Sequence, residues 1–585
     1  MTTFPMFSGR CRWGLLLLAV LLCSLAQAQT PTWQAAALVQ SSMPSNANVS
    51  ATAASATGDF YVTGTFEGQL RLGGRTFTSR GGHDIYLAKW NPITNQAAWV
   101  QHFEGDDYDR VTGLAWSNNA LYLTGYFNSS RLALGSQTLL NSSPANQLFT
   151  DGFVLKLQDN GSSSGVVWTQ QLRGAGYDYV SALAVAGTSV FIGGSFSSDT
   201  CRLATQELRN TSNTTTTPLA NDGFVARLVD GGNTASVAWV QQITGPEDEQ
   251  VSSLALSGLN VYVGGTQAQF APGPAQFGTL ALPRPMGPAG FVAKIMHIGT
   301  QAAWVWVQQI DGNSGDYVHS IAASGSAVYV CGSFGSQPLT LGSIALQTQG
   351  HHDAYLARLD DAGTTASWAW ARQMSGTGEE RAAKVLVDGP SVYLAGSFES
   401  PAVTFGPTTL TNTASQSLYA ADAFVSCLTP AGVFRWTQQV SGGSFCYAHT
   451  LTAIGPALYV GGVVYNDTTA FGTISLASPF GFAGFVGVLS TTTLAALTPL
   501  PLAGLALFPN PAHGRAALHL PAGTGAAPFS ISILDGLGRV VLRREVAATA
   551  SGQTTPLELA GLAPGVYAVR VQQGPAQAVQ QLVVE

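Results

Sequence analysis

A chain of 585 residues is too long for one simple core, so several domains or a repeat array are expected. Only 10% of its residues are charged, against 46% hydrophobic and 66 glycines, which excludes a disordered chain and describes short strands joined by tight turns. The net charge of -7 offers no basic face to displace counterions, which excludes a nucleic-acid binder.

Residues 1-28 read as a secretory signal peptide. Arg10 and Arg12 precede an apolar run from Trp13 to Leu25, and Ala26-Gln27-Ala28 supplies small residues for cleavage after Ala28. The run is too short for an ordinary transmembrane helix, and no other segment has the length and apolarity for one, so no transmembrane span is expected. Lipidation at Cys23 is disfavoured because Leu22, rather than a small residue, precedes it.

From 29 to 489 one pattern recurs roughly every 60 to 70 residues. Its third copy runs Val180 to Val185, Ser189 to Phe196, Asp222 to Leu228 and Trp239 to Ile243, four strand-like pieces bounded by Gly, Asn or Asp. The second piece carries an aromatic in every copy: Tyr61, Tyr122, Phe191, Tyr262, Tyr329, Tyr393 and Tyr459. A glycine follows closely each time: Gly64, Gly125, Gly194, Gly265, Gly332, Gly396 and Gly462. Asp84, Asp151, Asp222, Asp353 and Asp422 head the third piece, with Ala289 and Ala483 in the remaining copies. The fourth carries Trp99, Trp168, Trp239, Trp306, Trp370 and Trp436.

The tally of these pieces is uneven. Seven Tyr-Gly strands are followed by six Trp strands, and the missing one stands at the head of the mature chain as Thr32-Trp33-Gln34. A chain that opens with the last strand of its final unit closes a ring and removes two exposed sheet edges. The expected fold is therefore all-β, a seven-bladed β-propeller closed by an N-terminal strand. A Trp or Tyr at fixed register would fill the wedge between blades. The glycine would permit close backbone approach or a bulge, and the Asp would cap a turn by accepting N–H bonds.

On these residues, Phe60 to Phe66 and Asp222 to Trp239 above all, the chain resembles the bacterial SBBP seven-bladed propeller repeat family over about residues 30 to 490. The resemblance implies the fold and no particular activity. Four cysteines remain in the mature chain; export permits a disulfide, for which Cys427 and Cys446 are the most plausible pair, and buried free thiols are at least as good a reading.

A Thr, Ala, Leu and Pro linker, 490-504, leads to a C-terminal segment, 505-585. It contains Pro509-Asn510-Pro511, then Gly538 and Arg539, then Gly565 and Tyr567, and ends in Gln581 to Glu585. This segment is similar to the type A sorting domain of Bacteroidetes type IX secretion substrates. The resemblance implies a small Ig-like β-sandwich, type IX secretion machinery and its sorting protease as partners, and a product anchored at the outer-membrane surface or released outside the cell. In that family a basic residue commonly opens the final strand, where Gln581 stands here.

Candidate chemistry is sparse. Acids cluster where one copy hands over to the next: Asp106, Asp107 and Asp109; Asp178; Glu247, Asp248 and Glu249; Asp316; Glu379 and Glu380. They could bind calcium through oxygen ligands, but none has the ligand order of a dedicated calcium loop, and turn-forming, solubilising acids are the plainer reading. His83 and His352 each precede a strand-heading Asp and could share a metal, but Asn221 and Ala421 replace them in other copies. No nucleophile elbow, zinc-protease helix, phosphate loop or dinucleotide fingerprint is present, so no catalytic or cofactor-binding residue is assigned. Asp467-Thr468-Thr469 resembles a short O-glycosylation motif and reads as a surface loop.

The variable Thr, Asn and Ser-rich segments between the second and third strands, as in Asn210 to Leu219, would face a partner. The function expected is a non-catalytic exported propeller that binds glycan or protein through its loops. An extracellular polysaccharide hydrolase or lyase acting at the propeller mouth, and a structural spacer in adhesion, are the rivals.

Overall fold

The computed structural model describes residues 31–42, 44–143, 149–212, 220–268, 273–413, 420–442, 444–491, 500–501, 504–522, 528–535, 540–573 and 576–585. The expected signal peptide, most of the linker, and Gly538 and Arg539 lie outside them. Every regular element described is a β-strand. The chain divides into two compact units, one within Pro31–Thr491 and one within Thr492–Glu585. No helix of the described residues is long and apolar enough to cross a membrane.

The first unit repeats an antiparallel set of four strands. In the third copy these are Asp178–Ala186, Ser189–Phe196, Asp222–Asp230 and Ala235–Thr244, hydrogen-bonded in that order. Asp178 pairs with Phe196 and Phe196 with Asp222, so the start of the inner strand, the end of the second and the head of the third share one edge. The variable segments leave from this edge.

The first strands are neighbours in a cycle: Ala51–Ala54 packs on Asp109–Ser117, each later copy packs on the next, and Phe445–Ile454 packs back on Ala51–Ala54. Thr52 Oγ1 lies 2.8 and 2.7 Å from Thr450 Oγ1 and Thr452 Oγ1, a contact between the first and last copies.

The strand Trp33–Val39 pairs with Ile474–Ser490 in the last copy, Trp33 against Leu489. Ile474–Ser490 in turn pairs with Ala457–Phe471, which carries Tyr459. Trp33 thus occupies the fourth-strand position of the sheet that lacks its own tryptophan.

Each glycine behind the aromatic has a steric cause. The inner strand bulges opposite it, as between Val180 and Ala182, and pushes a carbonyl onto the glycine Cα. A Cβ at Gly194, Gly332 or Gly462 would run into the carbonyl oxygen of Tyr179, Tyr317 or Tyr447. No side chain fits there.

The variable segments hold more structure than a loop. Each copy inserts a short hairpin, for example Thr200–Leu203 with Gln206–Arg209, whose first strand bonds the fourth strand of the preceding copy. Leu172 meets Leu203, Ile243 meets Phe277 and Val440 meets Phe471. Isolated bridges repeat the contact at Glu104 with Ala133, Asp311 with Thr340 and Ser375 with Thr404. In the first copy the hairpin finds Gln40, just beyond Trp33–Val39, with Arg71 N donating to Gln40 O at 3.2 Å. Asp467-Thr468-Thr469 lies in the corresponding extension of the last copy, paired in a ribbon with Thr469 buried, and is not a loop.

A further tie joins copies through a carboxylate. Asp230 accepts bonds from Tyr122 OH at 2.7 Å, Lys156 Nζ at 2.6 Å and Trp168 Nε1 at 3.0 Å, all from the preceding copy. Asp159 receives Tyr61, Lys89 and Trp99 in the same way, and Asp361 receives Tyr262, Lys294 and Trp306. Burial works against ionisation of these acids, but the converging donors outweigh it and hold all three below the usual carboxylate range. Where the acid is replaced, so is the lysine. Arg227 faces the copy carrying His297, whose ring packs on Phe191 and Trp239. Arg358 and Trp370 donate instead to Pro430 O.

The second unit packs two sheets around Leu518, Ile531, Ile533, Val571 and Leu582. Asn510 fastens the last strand, its Nδ2 donating to Gln581 O at 2.6 Å and its Oδ1 accepting from Val583 N at 2.8 Å. Pro509 and Pro511 flank this clamp. Tyr567 OH, in the strand opened by Gly565, donates to Ala563 O at 2.8 Å. The final strand begins at Ala576, so Gln581 stands inside it rather than at its head.

Candidate functional site: the axial channel and its mouth

The seven inner strands surround a channel of about 320 Å³. Its wall is built from the bulge residues, among them Thr112, Ser181, Ser252, His319 and His449, and from the residues just after them, including Lys384 and Thr450. A bulge residue has no partner in its own ladder, so its side chain is free to reach the neighbouring copy. Thr112 Oγ1 donates to Val180 O at 2.6 Å, Ser252 Oγ to Val318 O at 2.7 Å, and His319 Nδ1 lies 3.0 Å from Ala382 O. A carbonyl only accepts, so the His319 proton sits on Nδ1 and Nε2 is an acceptor. His449 makes the corresponding bond to the Val49 backbone of the first copy. Burial holds both imidazoles neutral, at about 3 for His319 and about 4 for His449, with Arg381 nearby adding to the effect.

Two residues earlier, on the same face of each inner strand, stand Asn48, Arg110, Tyr179, Gln250, Tyr317, Arg381 and Tyr447. They form the mouth at the edge from which the variable segments leave. The rings form short ladders: Tyr177 and Tyr179 are parallel at 6.3 Å, and Tyr447 lies between Phe445 and His449 at 6.2 and 6.4 Å. Arg381 is exposed at the mouth while Lys384 is half-buried on the wall, where desolvation lowers its pKa, and neither has an ion-pair partner among the described residues. At the rim, Glu379 is engaged by His351 at 3.6 Å and His352 at 3.1 Å.

The strand-heading acids lie behind the mouth and accept N–H bonds, as expected. Asp84, Asp151, Asp222, Asp353 and Asp422 are fully buried, and accept backbone N–H and side-chain bonds. Asp422, for instance, receives Thr413 N, Gly442 N and Gln439 Nε2. The hand-over acids Asp109, Asp178, Asp316, Glu249 and Glu380 are buried as well. Burial, partly offset by a serine at each, pushes Asp109 to about 8, Asp178 and Glu380 to about 7, and Asp316 to about 6.

These raised values have a consequence for stability. Each carboxyl holds its proton more tightly folded than unfolded, so its contribution is complete only below the unfolded value near 4 and is lost as pH rises from there to the folded values of about 6 to 8. The histidines with depressed values, His83, His297, His319 and His449, act in the opposite sense, but their unfolded forms are already neutral above about pH 7. The melting temperature is therefore expected to fall between pH 6.5 and pH 9, less steeply in Asp109→Asn. A flat or rising profile contradicts the burial of protonated acids.

Among the described residues no group of three or more His, Cys, Asp or Glu is placed to hold a metal ion. His83 and His352 are held locally instead, His83 against Tyr108 and 3.9 Å from Glu67, His352 by Glu379. Cys427 and Cys446 are free and buried, as are Cys201 and Cys331. Burial pushes Cys331 up to about 12 and Cys446 higher, which leaves both unreactive. The mouth residues were not singled out by sequence, although their spacing from the bulge is constant.

The second unit settles where the chain goes. Residues 506–585 match the secretion system C-terminal sorting domain family. The chain is thus exported to the cell surface or the extracellular space, and its tail implies handling by type IX secretion machinery. Among curated proteins no relative matches. Solved structures resemble it at low similarity. PorZ, a surface component of the type-IX secretion system of Porphyromonas gingivalis, is 11% identical over 92% of this chain and 82% of its own, with a TM-score of 0.20. A phage phi92 endosialidase is 8% identical over 94% and 87%, at 0.35, and the Trypanosoma rangeli sialidase 9% over 83% and 85%, at 0.31.

Proposed function

We propose that the chain is an exported, non-catalytic seven-bladed propeller, closed by Trp33–Val39, that binds a glycan at the mouth of its axial channel. Residues 29-489 form the propeller; 505-585 form an Ig-like sorting domain removed by the sorting protease. The hairpin rule supports closure. Every hairpin bonds the fourth strand of the copy before it, and the first finds Gln40. One observation carries the binding reading. The mouth combines aromatic ladders with Arg110 and Arg381 over a hydroxyl-lined channel, a concave surface with convergent polar groups. Glycoside hydrolysis would need two carboxyls across the bound chain, and the channel-lining residues supply none.

A glycan array probed with the full chain tests this. Binding is expected to at least one glycan class and to be lost in Tyr447→Ala, whose melting temperature is checked in parallel. A blank array, or binding indifferent to Tyr447, contradicts it.

A further inference from the structure

We propose that the mouth selects an acidic glycan, with Arg381 and Lys384 receiving the carboxylate of a uronic-acid residue. This rests on the reading of the mouth as a glycan site and adds the charge of the ligand. Cations and imidazoles gather on one arc of the channel, from the fifth, sixth and seventh inner strands. Arg381 lies close enough to His319, His449 and Tyr447 to act on all three, and Lys384 stands on the wall below. Arg381 is exposed at the mouth and Lys384 half-buried on the wall, neither with an ion-pair partner among the described residues, so a carboxylate entering from solvent supplies the missing counter-charge. The guanidinium can take it through two parallel bonds.

The remaining groups point to a sugar rather than an acidic peptide. Held neutral with its Nδ1 proton donated to the Ala382 carbonyl, His319 offers Nε2 as an acceptor, and Thr112, Ser181, Ser252 and Thr450 add hydroxyls. Such a wall matches a ligand dense in hydroxyl groups. The channel, at about 320 Å³, admits the end of a chain and no folded partner. Two acids stand nearby: Glu379 is engaged by His351 and His352 at the rim, and burial together with Glu379 raises Glu399 toward its neutral form.

The probe is a short oligogalacturonate, compared with its methyl ester and with an oligoglutamate of similar charge, titrated into the full chain by calorimetry. The acid is expected to bind at least tenfold more tightly than its ester, and Arg381→Gln and Lys384→Met each to lose at least tenfold. Arg381→Lys should recover part, and Arg75→Gln, on an exposed hairpin, should match the parent. Equal affinity for acid and ester, with both lost in Tyr447→Ala, overturns the charge selection and leaves the glycan site standing. Binding of oligoglutamate alone overturns the sugar assignment. No binding by either sugar, nor by any glycan on the array, removes the site itself.

Discussion

Trp33→Ala is expected to destabilise the first unit by about 3 to 5 kcal/mol, the range for emptying a buried aromatic site. Trp33 is only 8% exposed and meets the Phe471 ring edge-on at 5.2 Å. It also lies against Gly487, where a Cβ would strike the indole. The cavity cannot collapse easily, because Val440, Phe471, Phe485 and Leu489 belong to the same core and are anchored in three other strands. Its indole N–H has no hydrogen-bond partner. Trp33→Phe therefore removes volume without breaking a bond, and should cost well under half as much. Chemical denaturation of the two variants separates these outcomes. An unchanged midpoint for Trp33→Ala would mean that the N-terminal strand is dispensable to the last sheet.

Asp230→Ala should cost a similar amount, about 3 to 5 kcal/mol, because breaking a buried pair strands its partner. Lys156 Nζ would keep only Gly232 O at 3.0 Å, while Tyr122 OH and Trp168 Nε1 would lose their acceptor. Adding Lys156→Met should return part of the loss, since an apolar replacement of the whole pair avoids the orphaned charge. The third and fourth copies show that the site tolerates such a change, with His297 and Arg227 in place of the acid and lysine. Glu207→Ala, which breaks exposed pairs to Arg202 and Arg209, should stay within about 1 kcal/mol. If Asp230→Ala is equally mild, the carboxylate does not hold adjacent copies together.

What could be read from the sequence was whatever repeats in phase. Tyr-Gly and Trp positions mark strands because alternation and turn residues act locally, and the borrowed Trp33 followed from counting them. Contacts between copies left a fainter trace. Lys89, Lys156 and Lys294 are each answered one repeat later by Asp159, Asp230 and Asp361, a coupling visible only once the copies are aligned. The outer hairpins were hidden inside segments that vary in length, although Leu132-Ala133-Leu134-Gly135 and Leu339-Thr340-Leu341-Gly342 mark their turns. The hand-over acids were misread as solubilising because a carboxyl beside Gly and Ser looks like a turn residue wherever it is. Only packing reveals that Asp109 and Asp178 are fully enclosed. The mouth escaped notice for a different reason. Its seven residues share a register and not a residue type, and their convergence depends on how the copies pack.

The ring itself is tested most directly by a cross-link between its ends. Thr52 and Thr450, 398 residues apart, place their hydroxyl oxygens 2.8 Å from each other, and Thr452 offers a second partner at 2.7 Å. Paired cysteines at 52 with 450, or 52 with 452, should be oxidised by an added oxidant within one molecule, losing two hydrogen atoms in mass and linking the two peptides after digestion. If neither pair closes under oxidation, or only intermolecular links form, the first and last copies are not neighbours and the closed ring is wrong.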